Sequence, residues 1–229
     1  MFHFWEGGTV FRLQRDRRRT RNALPAAVLR LPAGLSLQAG RAVLRAARGA
    51  VPPDAGHSVG CGAAAQGLPA PVPATGICYA EGLAKGLGNP MVNALEKLHR
   101  PNNRTLCFAD VERRTGLIRD HLKLTGEDLQ GKEVVVVDGA IFTGTTLRIV
   151  CQMLREAGAA KVHIAIPTPM SNCRCAQYVL PAMPSLADSM PPSKMLDYFG
   201  ADSLTYIPGQ SFLEIARPSG AVCTDCFEA

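Results

Sequence analysis

The chain has few aromatics, 6% of 229 residues with a single Trp, and no internal repeat. No run approaches the ~18–20 consecutive apolar residues of a membrane span, so no membrane-spanning helix is expected. No apolar stretch follows the first charges, which argues against a secretory signal and for a cytoplasmic setting. Acids are nearly missing from the first fifth. Residues 1–50 hold ten Arg but only Glu6 and Asp16, a local +8, whereas residues 51–229 stand at −2. The overall +6 therefore belongs to one end. A basic end on a near-neutral body is weak evidence for nucleic acid, and the run Arg15 to Arg21 has few stacking aromatics and no recognition-helix pattern behind it. Apolar residues make up 47%, enough for a buried core, which excludes a disordered chain. The Arg- and Ala-rich, acid-poor stretch 12–50 loosely has transit-peptide composition; we read it as the usage of a GC-rich bacterial genome.

Eight cysteines are present: Cys61, Cys78, Cys107, Cys151, Cys173, Cys175, Cys223 and Cys226. Without a secretion signal a disulfide framework is not expected. Cys151 falls in a helical pattern and Cys78 in an expected strand, both as small core residues. The C-x-C at Cys173 and Cys175 and the C-x-x-C at Cys223 and Cys226 could converge on one metal, although the spacing between the pairs is not a signature.

Length gives one domain, residues 51–229, preceded by the basic segment 1–50. That segment reads as irregular, with a short strand at Val10 to Leu13 and a helix at Ala39 to Arg48. Residues 51–75 are rich in Pro, Gly and Ala and open with a turn signal. Gly76 to Leu83 reads as a strand running into a turn. Gly86 to Arg104, broken by Pro90 and Pro101, reads as a long loop. Thr115 to Leu124 reads as a helix. The clearest stretch is Glu133 to Asp138, a Val run suited to a strand buried on both faces. A Gly/Thr loop follows, then a helix over Thr145 to Ala157, then a strand at Lys161 to Ile166. Strand, loop, helix, strand is a βαβ unit, so the class is α/β with a parallel sheet and flanking helices. Asp202 to Ile207 is a further strand. His163 reads as a core residue with its polar atoms satisfied.

The loop between that strand and helix carries Thr143, Gly144, Thr145 and Thr146. Hydroxyls, backbone N–H groups and a helix N-terminus suit a phosphate monoester. The loop lacks the Lys-Ser/Thr of a P-loop and the G-x-G-x-x-G of a dinucleotide site. An ordinary strand–helix connection with a Thr cap would read the same way.

Here the sequence resembles a known family. VVVVDGAIFTGTT resembles the phosphoribosyl pyrophosphate (PRPP) motif of type I phosphoribosyltransferases, in the version found in amidophosphoribosyltransferases. Val51 to Gly56, with Asp54, Ala55 and Gly56, resembles the family's pyrophosphate loop V-P-D-S-G. Thr75 to Lys85 resembles S-G-I-P-Y-x-E-G-L-x-K. Arg104-Thr105 and Lys123-Leu124 stand where the family has R-T-F-I and K-L-N. MLREAGAAKVHIAI, GADSLTYI and the terminal CTDCF continue the match in order.

The resemblance implies displacement of pyrophosphate from C1 of PRPP by a nitrogen nucleophile, with Mg²⁺. Asp138 would hold the ribose hydroxyls, with Gly139 and Ala140 beside it, and Thr143 to Thr146 would bind the 5′-phosphate. Lys123, Arg104 and Lys85 would reach the pyrophosphate. A loop from Gly86 to Arg114 would close as a lid. Cys175, Cys223 and Cys226 fall on ligand positions of the family's iron–sulfur members. Cys173, Cys61 or His3 would complete a [4Fe–4S] cluster or a zinc site. A homodimer or larger assembly is also implied.

Three departures from the family matter. Its glutaminase half, with a catalytic Cys at the processed N-terminus, has no counterpart in residues 1–50, so release of ammonia from glutamine by that route is not expected. Gly139 stands where the family has a second acid; Asp110 is a candidate replacement. Thr143 stands where it has Arg. These changes favour a repurposed enzyme that uses a heterocyclic, purine-like or deazapurine base, as in nucleoside-antibiotic assembly. Ammonia-dependent phosphoribosylamine synthesis, a PRPP-sensing nucleic-acid-binding regulator and an inactive partner subunit are the alternatives.

Overall fold

The computed structural model describes residues 67–98, 110–171 and 184–216, together with three short strand segments, 2–6, 9–13 and 58–59. Five strands form the central sheet: β3 (Ser58–Val59), β4 (Leu68–Pro71), β7 (Glu133–Val137), β8 (Lys161–Ile166) and β9 (Ser203–Tyr206). Their order is β3-β9-β8-β7-β4. Four run parallel and β3 is antiparallel to β9.

The Val run of β7 exists because both its faces are covered. Val134 and Val136 pack with Leu147, Val150 and Leu154 of helix α3 (Thr145–Glu156) and with Met195 and Phe199 of α5 (Pro192–Phe199). Val135 and Val137 pack with Tyr79, Ala80 and Leu83 of α1 (Ile77–Leu87) and with Phe212 and Ile215 of α6 (Gly209–Ala216). A one-residue change of register would exchange these two cores. The expected βαβ unit is therefore present, with β7, α3 and β8 close to the boundaries read from the pattern.

Strand β4 is harder to read because Pro69 and Pro71 interrupt it. It lies at the sheet edge, where a missing N–H is tolerated. The two prolines share one parity and turn away from β7. The neighbouring parity is bonded inward, with the Val72 N–H donating to the Val137 carbonyl at 2.8 Å.

Several sequence expectations are corrected. Gly76 to Leu83 is not a strand but the cap and first part of α1, because Tyr79, Ala80 and Leu83 sit at helical spacing and share one buried face. Cys78 is thus a half-buried helix residue, while Cys151 is buried in α3 as expected. Of the loop expected over Gly86 to Arg104, residues 88–94 are loop, Gly86 and Leu87 end α1, and β5 (Leu95–Lys97) pairs with β6 (Leu122–Leu124), while residues 99–104 lie outside the described residues. The helix expected over Thr115 to Leu124 runs instead from Val111 to His121 as α2, started by the Asp110 side chain, and turns into β6. Arg114 is therefore a buried helix residue and not part of a lid. A short α4 (Leu186–Ser189) precedes α5. Near the N-terminus, β2 (Thr9–Leu13) covers the short strand expected at Val10 to Leu13, and β1 (Phe2–Glu6), where irregular chain was expected, pairs with it antiparallel. The helix expected over Ala39 to Arg48 lies outside the described residues. No helix among the described residues is long and apolar enough to cross a membrane.

Candidate active site

Two adjacent parallel strands, β4 and β7, end side by side, and each runs through a loop into a helix. Ligands of open α/β sheets bind at such carboxyl ends. The loop after β4 is Val72 to Gly76. Gly76 packs so tightly on β7 that a Cβ there would lie 2.0 Å from the Val137 carbonyl oxygen. No other residue fits without moving the loop, and Gly76 in turn caps α1 without a side-chain hydrogen bond.

The loop after β7 begins with Asp138. Its Oδ1 accepts from the Thr75 hydroxyl at 2.5 Å and from the Gly139 N–H at 2.7 Å. Burial raises the Asp138 carboxyl to about 6, against the lowering pull of those two donors. Its Oδ2 accepts nothing among the described residues. The buried Thr168 hydroxyl donates to the Gly139 carbonyl at 3.1 Å, and the Phe142 carbonyl accepts from Leu186 N–H at 2.7 Å. Ile141 is buried in the core between these ties; Ala140 is half-buried. The loop is thus pinned on both sides.

It ends at Gly144, in the left-handed region with φ 74°, which starts α3 without a side-chain cap. The first-turn N–H groups of α3 are consequently free to meet an anion. Thr143 and Thr145 hydroxyls lie 3.3 Å apart. Arg114, 3% exposed, donates from Nη1 to Thr143 Oγ1 at 3.3 Å. Thr146 is half-buried on the same turn. Two uncapped helix N-termini thus flank one carboxylate, and the Thr75–Asp138 bond joins the two halves.

Not every expected residue gathers here. Lys85 is exposed in the last turn of α1, about 12 Å along the helix from its N-terminus. Lys123 is exposed on the β5–β6 ribbon, opposite Glu96. Among the described residues it makes no hydrogen bond to the Asp138 loop. Asp110 uses Oδ1 to accept from Glu112 N–H and Arg113 N–H, capping α2. Asp54, Ala55, Gly56, Arg104, Cys61, Cys173, Cys175, Cys223 and Cys226 lie outside the described residues. No group of three or more His, Cys, Asp or Glu stands ready for a metal among the described residues.

The sequence reading missed the partnership of Thr75 with Asp138 and the reach of Arg114. One signal was available: Val72-Pro73-Ala74-Thr75-Gly76 itself repeats the form of V-P-D-S-G directly before Ile77, with Ala74 in place of Asp.

Residues 70–173 match the family model described as phosphoribosyl transferase domain. The chain is 34% identical over 159 residues to an amidophosphoribosyltransferase of Synechococcus elongatus, covering 68% of this chain and 32% of that protein. It is 33% identical over 153 residues to the enzyme of that name from Archaeoglobus fulgidus, covering 65% and 33%. Among solved structures it is similar to the B. subtilis glutamine PRPP amidotransferase complexed with ADP and GMP. That similarity has a TM-score of 0.64 at 26% identity, over 85% of this chain and 41% of that one. The chain spans about a third of the length of the curated relatives it matches.

Proposed function

We propose that this chain, which carries a phosphoribosyl transferase domain of the amidophosphoribosyltransferase kind, transfers the phosphoribosyl group of PRPP to a nitrogen nucleophile. One observation carries the reading: two uncapped helix N-termini on neighbouring parallel strands, bridged by the Thr75–Asp138 bond. PRPP has the matching form, with a monophosphate and a pyrophosphate at opposite ends of a ring that bears hydroxyls.

The α3 N-terminus with Thr143, Thr145 and Thr146 takes the 5′-phosphate. Gly139, Ala140 and Gly144 supply the backbone of this loop. The α1 N-terminus with Thr75 and Gly76 takes the pyrophosphate. Asp138, through Oδ2, takes the ribose hydroxyls. A single carboxylate suits Mg²⁺ held mainly by substrate phosphates, and when bound Mg²⁺ offsets the charge of the departing pyrophosphate. The acceptor nitrogen forms its bond to C1 as the C1–O bond breaks, with the electron pair leaving on pyrophosphate. The N–H proton passes to pyrophosphate or water. An oxocarbenium-like transition state asks the protein mainly for positioning, charge and exclusion of water.

We favour a heterocyclic, purine-like base as the acceptor. Ile77, directly after Gly76, leaves 39% of its surface exposed, an apolar face suited to a flat ring and of no use to ammonia. Incubation with PRPP, Mg²⁺ and either purine-like bases or ammonia, followed by pyrophosphate assay, tests this. Release only with a base supports it; release with ammonia alone moves the assignment to phosphoribosylamine synthesis.

A further inference from the structure

We infer that Arg114 is a positioning residue that makes the Thr143–Thr146 loop selective for a phosphate dianion; the inference rests on the 5′-phosphate reading of that loop. Arg114 comes from a different helix, α2, and is 3% exposed. Its Nη1 reaches Thr143 Oγ1 at 3.3 Å. A guanidinium has donors only, whereas a hydroxyl both donates and accepts. Thr143 therefore accepts from Arg114, and its proton is directed away, toward Thr145 Oγ1 at 3.3 Å or toward a bound anion. The Thr145 hydroxyl is bound by the same logic. Without Arg114 these hydroxyls could turn either way and serve a neutral ligand equally well. With it, the loop presents protons and a fixed positive charge on the α2 side, and backbone N–H groups on the α3 side.

The burial of Arg114 keeps that charge effective. A cation held out of water is screened little by salt, unlike the exposed Lys85 and Lys123. It is also rigid, since its helix starts at the capped Asp110 one turn earlier. Arg114 is hydrogen-bonded to Thr143, on the 5′-phosphate side, so the two anion positions should respond differently to its loss.

Calorimetric titration of the full chain with ribose 5-phosphate, and separately with pyrophosphate, tests this. Arg114→Gln is expected to weaken ribose 5-phosphate by about tenfold to a hundredfold, the range for hydrogen bonds to charged groups, and pyrophosphate by less than threefold. Arg114→Lys should restore part of the loss. Thr143→Val, which keeps Arg114, should weaken ribose 5-phosphate about tenfold, and the double variant should lose less than the product of the two. With turnover, KM for PRPP should rise more than kcat falls. If Arg114→Gln weakens both ligands alike, or neither, Arg114 is merely structural and the inference is overturned. Should that variant not fold, equal weakening of both ligands by Thr143→Val overturns it instead. Failure of the unaltered chain to bind ribose 5-phosphate overturns the 5′-phosphate reading, and the inference with it.

Discussion

Thr75 Oγ1 donates to Asp138 Oδ1 at 2.5 Å across 63 positions of sequence. The contact ties the loop after the edge strand to the loop after the central strand, and so holds the two proposed anion positions at a fixed separation. Thr75→Val removes the tie with little change in volume. It should lower kcat/KM for PRPP by about tenfold, the cost of a hydrogen bond to a charged group. It should also raise the Asp138 carboxyl further above about 6, because the Thr75 hydroxyl is one of the groups lowering it. A pH–rate profile should show the acid limb moving to higher pH.

On the proposed function, Asp138 costs the fold stability and contributes its charge to the ribose position. Burial raises its carboxyl in the folded chain to about 6, from an ordinary 3.8. The native state thus binds the proton more tightly than the unfolded chain, so stability falls as pH rises from about 4 to about 6. Above that window the unfavourable charge is fully present. Asp138→Asn should therefore melt higher than the unaltered chain at pH 7.5, by up to about 3 kcal/mol at 1.36 kcal/mol per unit, while losing phosphoribosyl transfer. The gain should vanish near pH 4. Melting at the two pH values checks the sign.

Gly76→Ala places a methyl 2.0 Å from a backbone oxygen. Backbone does not yield as a side-chain end does, so the loop must move. A loss of about 1–3 kcal/mol and a collapse of PRPP binding are expected, read by denaturant titration and calorimetry.

Asp110 separates capping from catalysis. Asp110→Ala should cost about 1 kcal/mol through the lost cap of α2, and Asp110→Ser, which keeps a capping oxygen, should restore it. Turnover of the Ser variant should stay within about twofold of the unaltered chain. A carboxylate that held ribose would not be replaced by a hydroxyl, so a collapse of turnover in Asp110→Ser would show that it does.

The fold was legible wherever burial was symmetric and local. Val134 to Val137 is apolar without interruption because two helix layers cover it, and α3 shows Leu147, Val150 and Leu154 on one face for the same reason. It was illegible wherever position in the sheet overrode local preference. Pro69 and Pro71 argue against a strand unless the strand is known to be an edge, and strand order is not a property of six residues. The run Ile77 to Ala80 looks like a strand until Gly76 is seen pressed against Val137. For the site, the Asp138 to Thr146 string carried its chemistry in order. Thr75 and Arg114 did not, because their partners lie 63 and 29 positions away, and Arg114 sits in a helix whose other charges face water. His163 illustrates a half-correct reading. It is fully buried with Nδ1 2.8 Å from the Ser203 hydroxyl, but Nε2 has no hydrogen bond and only Glu133 at 3.8 Å.

The central claim is that one bound molecule spans both helix N-termini with its ribose on Asp138. Pyrophosphate release from PRPP, measured with Mg²⁺ and a panel of purine-like bases for the unaltered chain and for Asp138→Asn, tests it most directly. The account predicts base-dependent release that Asp138→Asn abolishes while remaining folded. Release unaffected by Asp138→Asn, or a folded unaltered chain that neither binds nor consumes PRPP, would contradict it.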